Sequence, residues 1–408
     1  MKDKSILREL AKKYAEITGL SVQEKKRRLW RKLNGLKPER PMVMIDQVCW
    51  SELEGSDELK LQCNDPEYRN FEQYLRRNLY QWHHFPVDSV MEPCFDVYYA
   101  VKNSGFGVSI QEETISTDPH SEVVSHKYKN LFQTDADLEK IKIPVIEHDR
   151  AETDRRLALA HEIFDGILDV NVNGSVPGIG IWDVISTLMG VEDALLALID
   201  KPEFMHEMVR RFTEGYTATF DQLEEQGLLP KRQNLIHCAG AYTDELPAHG
   251  YNSDRPRCKD IWNFGLAQML STVSPQMFDE FEVAYTSKIC KRFGLIYYGC
   301  CEPLDGKMNE VKKMPNVRKV SMSPWANHAR GAEEIGVKFV FSSKPNPAHI
   351  AMENFCEDLV RKELLSILEH CRRNSCPLEF ILKDISTVRN QPDRLDRWAK
   401  IAMEVAEG

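Results

Sequence analysis

From Pro86 to the C-terminus the chain repeats one unit: a short apolar run, a stop at polar or turn residues, then an amphipathic stretch with helical spacing. The runs are VDSVMEPCFDV from Val87, LDVNVNGSVPGIG from Leu168, RQNLIHCAG from Arg232, GLIYYGCCEP from Gly294, VRKVSMSPW from Val317, VKFVFSSKP from Val337 and PLEFILKDIS from Pro377. Strands that alternate with helices are joined by crossovers and therefore pair in parallel. The intervening helices are well marked. In SPQMFDEFEVAYTSKICKRFG, Ser274 suits the N-cap, Pro275 the first turn and Gly294 the stop, while Phe278, Phe281, Tyr285, Ile289 and Phe293 fall on one face. The expected fold is an α/β (β/α)8 TIM-type barrel over residues 86–408, with residues 1–85 as an N-terminal helical extension. A doubly wound open sheet is the alternative, but no G-x-G-x-x-G or phosphate-loop lysine motif stands where a dinucleotide fold needs one.

Within the extension, GLKPERP at Gly35 to Pro41 breaks any continuing helix. KKRRLWRK, Lys25 to Lys32, belongs to a helical pattern with Leu20, Val22, Leu29 and Leu33, and reads as a solvated face or a subunit contact that would pair two copies. A formal net charge of −10 argues against nucleic acid as a partner, because binding to phosphate draws on a positive field. No apolar stretch is long enough to cross a bilayer and no apolar signal core stands at the N-terminus, so neither membrane nor export is expected. Eleven cysteines without framework spacing fit a reducing, cytoplasmic setting.

In such a barrel the loops leaving the C-terminal strand ends build the active site. The polar residues after each apolar run are then the candidates: Glu92, Cys94 and Asp96; His237 and Cys238; Tyr298, Cys300, Cys301 and Glu302; Lys344; and Lys383 with Asp384. Zinc is held by thiolate, imidazole and carboxylate, and a catalytic site leaves one position open. Cys300 with His237 and a carboxylate from another strand end would make such a set. Adjacent strand residues point to opposite faces, so Cys301 joins Cys300 only if the strand has already ended, which Pro303 favours. Each also has a plainer reading, with the thiols in the core and His237 bonded to a loop. Asp244 and Glu245, in the polar loop AYTDELPAHG, are candidate acid and base or else capping groups. Glu92, Tyr242, Tyr298 and Trp325 are candidate substrate contacts. Lys344 meets either an anionic substrate or a helix end.

The ordered segments IHCAGAYTDELP, SPQMFDEFEVAYTSKICKRFGLIYYGCCEPL, KVSMSPWAN, FVFSSKPNPA and EFILKDIST resemble the uroporphyrinogen decarboxylase superfamily, a (β/α) barrel family. The arginine-rich R-Q-A-G-R segment of the true decarboxylases has no counterpart, since SVMEPCFDVYY stands at the corresponding strand. The resemblance is nearer to the corrinoid-linked methyltransferase branch, whose zinc is held by an H-x-C pair after one strand and a cysteine after the last. Cys300 matches the cysteine of that pair, Tyr298 replaces its histidine, and Asp384 falls near the final cysteine; His237 or Glu302 would complete an altered set. The resemblance implies zinc-assisted methyl transfer from a small methylated compound to a separate corrinoid protein, with Glu302 as a candidate general acid. A lyase or decarboxylase acting on a small carboxylate, with Lys344 supplying charge, and a noncatalytic binding protein are the other readings.

Overall fold

The computed structural model describes residues 2–116 and 124–408. Eight strands carry the fold: β1 (Met42–Ile45), β2 (Cys94–Tyr98), β3 (Asp169–Asn173), β4 (Trp262–Gly265), β5 (Leu295–Tyr298), β6 (Val317–Met322), β7 (Val340–Ser343) and β8 (Leu378–Leu382). Six of them form one all-parallel sheet in the order β1-β8-β7-β6-β5-β4. The other two, β2 and β3, pair in parallel with each other, and a parallel bridge from Ile179 to Gly265 links the chain after β3 to the end of β4. The architecture is thus mixed α/β with parallel strands and intervening helices. Every residue of β1, β5, β7 and β8 is buried, as expected of parallel strands covered on both faces.

Two strands differ from expectation. MVMI of β1 lies inside the segment expected to be a separate extension, yet it pairs with β8 from Met42 against Glu379 onward. A unit boundary at residue 86 therefore cuts through the sheet. RQNLIHCAG does not supply the fourth strand; it folds into a tight antiparallel hairpin, Leu235–Ile236 against Ala239–Gly240, with His237 at φ +51° in the turn. WNFG of β4 takes the place beside β5.

The helix expected from Ser274 onward begins as foreseen, with the Ser274 side chain accepting from Met277 N. It widens into a π turn over Asp279–Val283 before resuming as α-helix. Within that turn Glu282 is buried and accepts a hydrogen bond from Tyr298 Oη at 2.9 Å. Burial pushes its carboxyl up to about 8.

The N-terminal helices α1 (Lys2–Thr18), α2 (Ser21–Asn34) and α3 (Pro66–His84) pack onto this frame. Trp30 of α2 is fully buried, its Nε1 donating to Asp88 O at 2.9 Å and the Lys319 ammonium standing 4.9 Å from its ring centre. Its ring lies so close to Gly240 that a Cβ there would fall 2.5 Å from it, so only glycine fits. The basic run around it is internally paired, Arg27 with Glu24 and Glu92, Arg28 with Glu39, and Arg31 with Glu24. Among the described residues no helix is long and apolar enough to cross a membrane.

Candidate active site

The C-terminal ends of β5 and β8 bring Cys300 and Lys383 together. Beyond Tyr298 the chain turns at Gly299, φ +92°, so Cys300 and Cys301 stand in irregular backbone rather than on the alternating faces of a strand. That backbone is held from below. The buried Glu302 carboxylate accepts from Cys300 N at 2.8 Å and Ala267 N at 3.1 Å, and Ser321 Oγ donates to Cys300 O at 2.6 Å.

Lys383 Nζ donates to Cys300 Sγ at 2.9 Å and lies 3.4 Å from His237 Nε2. Cys301 Sγ lies 3.5 Å from Cys300 Sγ and 3.3 Å from Asp384 Oδ2, so its single proton serves one of these acceptors at a time. The hydrogen bond from Cys301, with those from His237 and Lys383 and the Lys383 charge, outweighs burial and brings the Cys300 thiol down to about 3. The same contact pushes the Cys301 thiol up. Burial alone would lower His237, but its sulfur neighbours Cys238 and Cys300 raise it to about 9. Burial likewise opposes charge on Lys383, and the Cys300 thiolate more than offsets it. These shifts favour the thiolate at Cys300 and the charged forms of His237 and Lys383; at Cys238 burial opposes ionisation, but the neighbouring charges of Lys344 and His237 lower that thiol as well.

His237 also forms part of the wall of a cavity of about 750 Å³, lined by the N-terminal helices and by residues of β2, β3 and β4. Its imidazole stacks on Phe264 with ring centres 3.9 Å apart and planes 5° from parallel. Aromatic side chains from the helices, among them Tyr14, Phe71 and Tyr74, also line it. The acidic groups on the wall are paired: Arg27 Nε with Glu92 at 3.1 Å, and Arg232 Nε with Asp96 at 3.1 Å. Tyr242 Oη donates to Glu92 at 2.5 Å.

Of the residues singled out in the sequence, Cys300, Cys301, His237 and Asp384 converge, and Glu92 and Tyr242 meet on the cavity wall. Glu302 sits beneath Cys300 as an acceptor of backbone hydrogen bonds, a positioning role rather than an exposed acid. Tyr298 is fully buried against Glu282. Lys344 is buried behind the mouth, donating to Tyr297 Oη and to Ser342 Oγ at 2.7 Å. Asp244 and Trp325 lie on the surface, Asp244 3.6 Å from Arg31 and Trp325 75% exposed. Sequence reasoning set Lys383 at the mouth without a role and passed over Arg232. For Lys383 the signal was its place directly after the apolar run LEFIL.

The donor atoms at the mouth do not fit a zinc ion as they stand. Lys383, a cation, already occupies the hydrogen-bonding position on Cys300 and approaches His237, the two proposed ligands from different loops. Among the described residues no group of three or more His, Cys, Asp or Glu is disposed to hold a metal ion.

No protein-family model matches the chain, and no curated protein matches it in sequence. Its fold is similar to that of a methyltransferase from Methanosarcina mazei, with a TM-score of 0.52 over 92% of this chain and 97% of that one, at 12% sequence identity.

Proposed function

We propose that this chain is a methyltransferase of the uroporphyrinogen decarboxylase superfamily, its eight parallel strands forming an incompletely hydrogen-bonded (β/α)8 barrel, and that Cys300 is its nucleophile. The observation that carries the reading is the Cys300 thiolate held by Lys383 at the strand ends, with His237 shared between that thiolate and a cavity of small-molecule size. The similarity in fold to a methyltransferase along nearly the whole chain supports it.

A small methylated compound enters the cavity with its methyl group toward His237. The Cys300 sulfur attacks the methyl carbon in line with the departing heteroatom, a carbon–sulfur bond forms, and the bonding pair leaves on the heteroatom. His237, protonated at neutral pH, gives that atom a proton. Lys383 keeps the attacking sulfur ionised before the step. The methyl group is then available to a second nucleophile, for which a reduced corrinoid on a separate protein is the proposed acceptor. The lyase reading is weaker because Lys344, its source of charge, is already engaged by Tyr297 Oη and Ser342 Oγ in the core.

The test is mass spectrometry of the Cys300 peptide after incubation with trideuteromethyl amines, ethers and thioethers. A deuterated methyl group on Cys300 that is absent in His237→Ala supports the reading. Absence of transfer from every donor class, in protein whose Cys300 is readily alkylated by iodoacetamide, overturns it.

A further inference from the structure

We propose that Cys300 and Cys301 form a peroxide-responsive dithiol, which closes reversibly into a disulfide between adjacent residues and so removes the Cys300 sulfur from reaction. The inference uses the reactive sulfur of the methyltransferase reading but needs no methyl transfer. Four features of the mouth carry it.

The two sulfurs are already 3.5 Å apart. They differ in access, Cys300 being 6% exposed and Cys301 more open. The backbone that carries them is irregular, preceded by Gly299 at φ +92°, so it is free of the strand geometry that would send adjacent side chains to opposite faces. Each sulfur also has the partner its part of the reaction needs, Lys383 Nζ at 2.9 Å from Cys300 and Asp384 Oδ2 at 3.3 Å from Cys301.

Hydrogen peroxide is the oxidant. The Cys300 thiolate attacks one peroxide oxygen, the O–O bond breaks, and the pair leaves on the distal oxygen as hydroxide, which takes a proton from solvent or from the Lys383 ammonium. Cys300 is then a sulfenic acid. Cys301 loses its proton to Asp384 and attacks the Cys300 sulfur; the S–S bond forms and the sulfenic oxygen leaves as hydroxide, which that proton converts to water. One peroxide is reduced and two thiols are oxidised.

Adjacent Cα atoms are held about 3.8 Å apart by a trans peptide, below the range of about 4.4–6.8 Å preferred by disulfides. A bond formed there is strained and therefore easily reduced, which suits a switch rather than a structural crosslink. A second close pair, Cys371 and Cys376, offers an internal comparison: Cys371 is 1% and Cys376 9% exposed, just before β8 begins, with Cys376 beside Ala332.

The experiment is titration of the full-length protein with hydrogen peroxide, read by peptide mass spectrometry and by free-thiol count. The expected result is loss of two hydrogens from the peptide holding both cysteines, loss of two of the eleven thiols, and full return with dithiothreitol. Cys301→Ser should stop at a sulfenic acid on Cys300 that dimedone traps, and Cys300→Ser should leave Cys301 reduced at the same dose. A wild-type protein that goes directly to sulfinic acid at Cys300, that links Cys300 to any other cysteine, or that stays reduced overturns the proposal. None of these readouts depends on turnover, so failure of the methyltransferase reading is seen separately.

Discussion

Lys383 Nζ donates to Cys300 Sγ at 2.9 Å although their strands, β8 and β5, are separated in the sheet by β7 and β6. In a flat sheet three strand spacings amount to about 14 Å. The contact therefore requires the sheet to curl until its far strands face each other across the mouth. Replacing Lys383 by Met removes the donor and its charge while keeping the bulk. The pH midpoint of Cys300 alkylation by iodoacetamide, or of its thiolate absorbance, should rise by about one unit or more. An unchanged midpoint would mean that Cys301 and His237 ionise the sulfur without it.

The same ionisation sets a pH dependence of stability. Cys300 titrates at about 3 in the folded protein and about 8.5 when unfolded, so its contribution is complete above about pH 8.5 and is lost as pH falls toward 3. His237 has the opposite sign. It titrates at about 9 folded against about 6.5 unfolded, so its contribution is complete below about pH 6.5 and is lost as pH rises through 9. Between about pH 6.5 and 8.5 the two slopes oppose, and below that Cys300 acts without this compensation. Urea unfolding of Cys300→Ser between pH 4 and 6 should therefore show a flatter rise of stability with pH than wild type.

Glu302 satisfies two backbone donors with one carboxylate. Glu302→Leu leaves both N–H groups unpaired in a buried site, at a cost of about 1–3 kcal/mol for each group left without a partner. Glu302→Gln retains one amide oxygen and should cost less. A loss for Glu302→Leu well below about 1 kcal/mol in denaturant unfolding would show that the carboxylate is not what holds the Cys300 turn.

Lys319 and Glu379 form an ion pair at 2.6 Å with both side chains fully buried. Lys319→Met strands the carboxylate and should destabilise by about 3–5 kcal/mol. The double variant Lys319→Met, Glu379→Leu should recover most of that loss. A double-mutant cycle by thermal unfolding measures the difference, and additive losses would sink the account.

On the surface, Asp244→Ala and Trp325→Ala should each change stability by no more than about 0.5 kcal/mol and leave Cys300 alkylation unaltered. A marked change in either variant would bring that side chain into the site.

The fold was legible where burial left a local mark. LIYY, VFSS and LEFIL stand as apolar or small runs because strands β5, β7 and β8 are covered on both faces, and the rule that polar residues follow such runs led to Cys300, Lys383 and Asp384. MVMI was hidden among charged residues, being four residues long and preceded by KPERP. WNFG mixes an amide and a glycine into its apolar pair and so resembles a loop. The hairpin at His237 was misread because LIHCAG has the apolar density of a strand, while its turn depends on the positive φ of His237. Least legible was the Lys383 contact with Cys300, made between residues 83 positions apart, for which no periodicity in either segment exists.

Trp30 seats against Gly240 and under Lys319, so α2 is completed by residues far along the chain from it. At a ribosomal rate of about 5–20 residues per second, roughly 15–60 s separate the synthesis of this tryptophan from that of its lysine partner. For most of that interval the seat of Trp30 has Asp88 and β1 but lacks Lys319. The Lys and Arg side chains of α2, paired in the finished protein, leave that helix with a strongly charged outer face from the moment it is made.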